Sequence, residues 1–171
     1  IMAVLYNFGR SFNADFFMVG EVICINVVYM VDEGHLDAIT DYPGYKGMWS
    51  SFNSLNMFEI AHTLKRNMFD MYRGKSLLTF LDNHDVDRIA SKLTDKKKLP
   101  LLFALQLTLP GIPCIYYGSE WGTEGKKIPG QSDDSLRPAF EKPEPNELTE
   151  YIAKLIHLRN EHQALNSGQF K

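Results

Sequence analysis

Four short apolar runs punctuate this sequence, and each ends abruptly in charged or hydrogen-bonding side chains. Phe16 to Gly20 leads to Glu21, and Leu36 to Tyr42 carries Asp41 at its end. Leu77 to Leu81 stops at Asp82-Asn83-His84-Asp85, and Ile112 to Tyr117 gives way to Gly118, Ser119 and Glu120. Short continuous apolar runs read as strands buried on both faces. Helix-period stretches separate them, so the strands are expected to be parallel and covered by helices. Parallel strands put all their C-termini at one end, where α/β folds build their sites. Glu21, Asp41, Asp85 and Glu120 are therefore expected to gather on one face.

The stretches between the strands supply the helices. Ala3 to Phe8 reads as the end of a helix stopped by Gly9. Pro43-Gly44 reads as a turn. Asn56 with Glu59 three residues on is a capping pair, followed by Met57, Ile60, Ala61, Leu64, Met68 and Tyr72 on one core-facing stripe. Gly74 ends that helix. Val86 to Leu93 opens another, Leu99 to Leu109 continues it, and Pro110-Gly111 stops it. A polar loop runs to about residue 147. A last helix, about Thr149 to Ala164, presents Leu148, Ile152, Leu155 and Ile156 inward.

Bulk properties exclude some classes. The net charge of −3 gives no basic surface for nucleic acid. No apolar run reaches the roughly 20 residues of a membrane helix. Residues 1–10 lack the basic start and apolar block of a signal peptide. An opening Ile-Met inside helix-like sequence suggests that the chain is cut from something longer, which leaves localisation unassigned. Cys24 and Cys114 sit in apolar, strand-like contexts and read as buried free thiols.

Carboxylates at the ends of different strands can be held at a fixed separation in a cleft. That suits glycoside cleavage, in which one carboxyl donates a proton to the leaving oxygen and another, ionised, faces the positive charge developing at the sugar carbon. Glu21 suits the acid role, because an apolar strand end desolvates a carboxyl. Asp85, beside His84 and close in sequence to Arg88, suits the ionised role.

Phe80-Leu81-Asp82-Asn83-His84-Asp85 resembles the strand-seven motif of the α-amylase family of glycoside hydrolases. Phe17 to Val22 resembles its strand-five motif, and Gly111 to Gly122 its strand-eight segment. Leu36 to Pro43 looks like the strand-six region, and Leu155 to Phe170 like the helix that closes the barrel. The resemblance implies an α/β fold: the C-terminal half of a TIM barrel, about four parallel strands alternating with helices, with residues 1–171 as one partial catalytic domain. It implies Glu21 as general acid/base and Asp85 as the carboxylate that stabilises the transition state. It implies His84 as a donor to sugar hydroxyls, Arg137 close to the cleft, and Tyr42, Tyr45 and Trp121 as surfaces for sugar rings. The partner it implies is an α-1,4-linked glucan, whether starch, maltodextrin or cyclodextrin.

One family feature has no match. The nucleophile lies in a pattern like G-x-R-x-D, and the nearest approach, Gly9-Arg10-Ser11-Phe12-Asn13, lacks both the spacing and the Asp. A full barrel takes about 250 residues, so the isolated chain is expected not to hydrolyse starch. No cofactor is expected in this chain, and the calcium site that a parent protein can carry has no counterpart here. Ser119 stands where the family often has Asp. A half-barrel leaves two open edges, near Phe17 and near Ile115, which invite self-association.

Other readings start from the same residues. Asp82, His84, Asp85, His35 and Asp37 could ligate a metal in a metal-dependent hydrolase. A non-catalytic relative that binds sugar or a partner is the third reading, against which both Glu21 and Asp85 stand. Tyr116 and Tyr117 are expected to point to opposite faces, Arg88 to anchor the following helix or loop, and Asp95 to Lys98 to start a solvated helix.

Overall fold

The computed structural model describes residues 1–23, 28–32 and 36–167. Cys24 and His35 lie outside them. Helix α1 (Met2–Phe12) precedes strand β1 (Val19–Gly20); α2 (Val28–Asp32) leads to β2 (Ala38–Thr40). Helices α3 (Tyr42–Ser54) and α4 (Phe58–Lys65), the latter extended by a π-helical turn over Arg66–Met71, lead to β3 (Ser76–Phe80). The short α5 (Ile89–Lys92) and then α6 (Leu99–Thr108) reach β4 (Ile112–Cys114), and α7 (Glu147–Glu161) with α8 (Gln163–Ser167) follow the long loop.

The sheet has the order β1-β2-β3-β4, with every pair parallel. Parallel strands alternating with helices are the arrangement expected of the C-terminal half of a TIM barrel. Two cores cover its outer face. Leu81, Ile89, Leu102, Phe103, Leu107 and Ile152 centre the larger one. Leu36, Ile39, Tyr72 and Leu77 form the smaller. Each such side chain stabilises the fold by about 1.5–3 kcal/mol on burial.

Several local expectations are corrected. Helix α1 runs through Gly9 to Phe12, so that glycine does not stop it. Pro43-Gly44 is the first turn of α3, not a turn between elements: Asp41 caps the helix by accepting from Gly44 N at 2.8 Å, and proline costs nothing where the N–H is an orphan anyway. Gly47 lets α4 lie close, since a Cβ there would stand 3.3 Å from Ile60 Cα.

Asn56 and Glu59 form no capping box. Asn56 Oδ1 accepts from Phe58 N, while Glu59 reaches across to Lys46 and Ser50. Met57 and Ala61 are exposed, and the inner face of this helix is Ile60, Thr63 and Asn67. The π turn adds a residue at 66–71, with Tyr72 N bonded to Asn67 O, which moves the stripe off a simple helical period.

In α7 the inner row ends on Arg159 and not on Ile156, which is 38% exposed. Arg159 is buried and gives three hydrogen bonds: to Leu107 O (2.7 Å), Leu109 O (2.9 Å) and Gly111 O (2.7 Å). It fastens α7 to the end of α6 by meeting carbonyls the helix leaves open. Tyr116 and Tyr117 do not split; their rings meet edge to face at 4.7 Å and both take the guanidinium of Arg88. Cys114 is a free thiol but an exposed one, because β4 is an outer strand of the sheet.

The outer strands β1 and β4 each pair on one side only among the described residues. Beside β1, helix α1 buries no residue and exposes Val4, Leu5, Phe8 and Phe12. No helix among the described residues is long and apolar enough to cross a membrane.

Candidate active site

The strand ends build the site in layers. Phe80 and Leu81 are buried in the wall. Asp82, the first polar residue beyond them, turns down into the fold: it is 2% exposed and accepts from Ile89 N (2.7 Å) and Ser119 Oγ (2.6 Å). Burial pushes its carboxyl up, against the lowering pull of those donors. Asp82 thus holds the loops after β3 and β4 together, and Ser119 serves that bond.

Arg88 is the other anchor. It is fully buried, donates from Nη2 to Tyr117 O, and its backbone N bonds Gly125 O at 2.9 Å. The expected role of fastening the following loop is what its contacts do. Gly118, at φ 87°, makes room for it; a Cβ there would stand 2.6 Å from Arg88 Nη2.

The next residues rise to the rim. One ligand atom each from Glu21, His84 and Asp85 lies within 4.8 Å of the other two. His84 Nε2 stands 3.5 Å from Asp85 Oδ2. Arg137, from the long loop, donates from Nη2 to Asp85 Oδ1 (2.9 Å) and from Nε to His84 O (3.1 Å). Lys127 Nζ donates to Asp85 O at 3.3 Å. Arg137, not Arg88, is the cation of Asp85.

Glu21 follows β1 directly, and its side chain is exposed rather than desolvated by the strand end. Its place is set by hydrogen bonds: Tyr42 Oη donates to Glu21 Oε1 at 2.9 Å. Thr40 Oγ1 accepts from Val22 N at 3.1 Å, tying the segment after Glu21 to β2.

Two of the four expected strand-end carboxylates do not join. Asp41 is buried as the cap of α3 and also accepts from Asn67 Nδ2 (3.1 Å), with burial pushing its carboxyl up. Glu120 is half-buried below the rim. Of the expected metal set, His35 lies outside the described residues, and the other four are not brought together. Asp82 is spent on its loop bonds, and Asp37 lies at the opposite end of the sheet, taken by Tyr6, Arg10 and Met18 N.

The aromatics divide. Tyr42 borders the rim; Tyr45 is buried and stacks on Phe80 at 5.2 Å and 12°. An open cleft of about 610 Å³ runs past Tyr42, Trp49 and Asp85. Trp121 meets Phe140 edge to face at 5.3 Å and lines a separate groove of about 520 Å³ with Tyr117 and Arg137. Arg137 is the residue common to that groove and to the Asp85 contact.

Residues 6–146 match the family model described as alpha amylase, catalytic domain. The chain belongs to the alpha-amylase family. It is 30% identical to a cyclomaltodextrinase of a Bacillus species over 190 residues, covering 98% of this chain and 32% of that protein. This alpha-amylase-family chain thus spans about a third of the length of that relative. It superposes on a solved cyclomaltodextrin glucanotransferase with a three-domain arrangement, with a TM-score of 0.83, 27% identity, and coverage of 98% of this chain and 36% of the other. An alpha-amylase of Geobacillus thermoleovorans, solved with acarbose, gives a TM-score of 0.76 at 28% identity, covering 96% and 39%.

Proposed function

We propose that the chain carries one wall of the active site of a retaining α-glucan hydrolase acting on α-1,4 linkages of starch, maltodextrin or cyclodextrin. Glu21 is the general acid/base of this wall. Asp85 is the ionised carboxylate that faces the charge developing at the sugar carbon. His84 and Arg137 bind sugar hydroxyls, the Tyr42 ring flanks the reacting sugar, and Trp121 offers a surface farther along the glucan. The observation that carries the reading is the convergence of Glu21, His84 and Asp85 within 4.8 Å from two strands that are not neighbours in the sheet. Names of similar proteins, cyclomaltodextrinase and cyclomaltodextrin glucanotransferase among them, agree with an α-glucan substrate.

The nucleophile is not part of this wall, and a retaining mechanism stalls without one. The chain alone is therefore a binding surface with an idle acid. Incubating it with maltoheptaose and with β-cyclodextrin tests this: no reducing ends are expected above the buffer blank. Release that disappears in Glu21→Gln would show that the chain holds a complete centre. The exposed face of α1 and the open edge of β1 support self-association as well. Light scattering should show mass rising with concentration, and a constant monomer mass would refute it.

A further inference from the structure

We infer that Tyr42 and Asn83 are positioning residues that confine the transferable proton of Glu21 to its Oε2 oxygen. This rests on the acid/base reading of Glu21 given above and adds which of its two oxygens acts.

The hydrogen-bond directions follow one from another. Asn83 Oδ1 accepts from Asp85 N at 2.9 Å. A backbone N–H can only donate, so the amide is oriented, and Nδ2 is the end that faces Tyr42 and Glu21. Nδ2 donates to Tyr42 Oη at 3.0 Å and, at a longer 3.4 Å, to Glu21 Oε1. Tyr42 has a single hydroxyl proton. With its oxygen already accepting from Asn83, that proton goes to Glu21 Oε1, 2.9 Å away. Oε1 thus receives two donors from two different elements.

A protonated carboxyl carries its hydrogen on one oxygen and has a carbonyl at the other. An oxygen that two donors already face is the carbonyl, so the proton sits on Oε2. The arrangement is held from outside the site. The Tyr42 ring is wedged edge to face on buried Phe80 at 4.9 Å and 76°, and its backbone opens α3 behind the Asp41 cap. Asn83 also joins the two halves of the wall, touching the Glu21 carboxyl with one end and the Asp85 backbone with the other. Glu21 is exposed just past the end of an outer strand; without these bonds its two oxygens would interchange by rotation. The pair supplies the preorganisation that a general acid needs.

The test is isotope-edited infrared difference spectroscopy of the chain with no sugar present, between neutral and acidic pH, with glutamate labelled. The protonated Glu21 carbonyl band is the one lost in Glu21→Gln. A carbonyl that accepts two hydrogen bonds absorbs at lower wavenumber than a free one. Tyr42→Phe should move the band up, Asn83→Ala should move it less, and the double variant should reach the position of an unbonded acid. His84→Ala, which removes no donor to Glu21, should leave it in place. Far-UV circular dichroism checks that each variant is folded. A band unmoved in folded Tyr42→Phe and Asn83→Ala would overturn the inference. The measurement needs no glucan, so a failure of sugar binding refutes the proposed function and leaves this result standing.

Discussion

Arg137 grips Asp85 and the backbone of His84 together, with Nη2 at 2.9 Å from the carboxylate and Nε at 3.1 Å from the carbonyl. Both charged side chains are part-exposed, at 47% and 40%, so the pair contributes little to stability, about 0–1 kcal/mol. Its value lies in geometry, since a rigid planar fork fixes the directions of two bonds that a rotatable lysine ammonium leaves free. Arg137→Ala and Arg137→Lys are both expected to leave the thermal midpoint nearly unchanged. Calorimetric titration with maltoheptaose should show binding weakened by about 10-fold or more, the scale of one charge-assisted bond. Equal affinity in the lysine variant would mean that charge alone matters there.

Tyr42 reports on its neighbours through its own titration. Burial holds the phenol above its ordinary range, Asn83 pulls it down by donating to it, and Glu21 pushes it up. Ultraviolet difference titration should therefore move down for this residue in Glu21→Gln and up in Asn83→Ala. The same direction in both variants would contradict the hydrogen-bond order given above.

Arg159 is a structural residue with a large effect. Replacing it by Met leaves the carbonyls of Leu107, Leu109 and Gly111 unmet, and each buried carbonyl left so costs about 1–3 kcal/mol. A total of about 3 kcal/mol lowers the melting temperature by roughly 6–12 °C in a chain of this size. Calorimetry of Arg159→Met should show that drop, and a shift under about 2 °C would mean that water replaces the guanidinium without cost.

Asp41 gives the fold a pH dependence of definite sign. Its carboxyl is raised from the ordinary 3.8 by burial, against the lowering effects of Gly44 N, Asn67 and Arg66. The folded state therefore binds the proton more tightly than the unfolded chain. Stability from this group is present below the ordinary value and is lost as pH rises through the folded value. Asp82 acts in the same direction. Asp41→Asn keeps a good cap and removes the titration, so its urea midpoint should decline less between acid and neutral pH than that of the parent chain. An unchanged slope would contradict the raised value.

The strands were legible because burial on both faces leaves a continuous apolar run, and Leu77 to Leu81 delivers Asn83 to Asp85 to the rim as that run implies. Helix α3 was hidden. Pro43-Gly44 read as a turn, yet proline fits a first turn, and Gly47 inside the helix admits a neighbouring one. The π turn at 66–71 could not be read, because the stripe it shifts mixes Thr63 and Asn67 with apolar residues. In the site, the family resemblance marked Glu21, His84 and Asp85, while the strand-end pattern treated every carboxylate alike. Asp41 and Asp82 follow the same kind of run and spend their oxygens on backbone N–H groups and buried side chains. Asn83 lay inside the motif; its role needs Tyr42 and Glu21 brought together in space.

Glu21, His84, Asp85 and Arg137 are proposed to form a wall that binds α-1,4-glucan. Backbone amide NMR during titration with maltoheptaose tests it most directly. The account predicts shifts centred on Asn83, His84, Asp85, Tyr42 and Arg137, abolished by His84→Ala combined with Asp85→Ala, with cellobiose as an inert control. Shifts confined to the exposed face of α1, or none at saturating sugar, would contradict it.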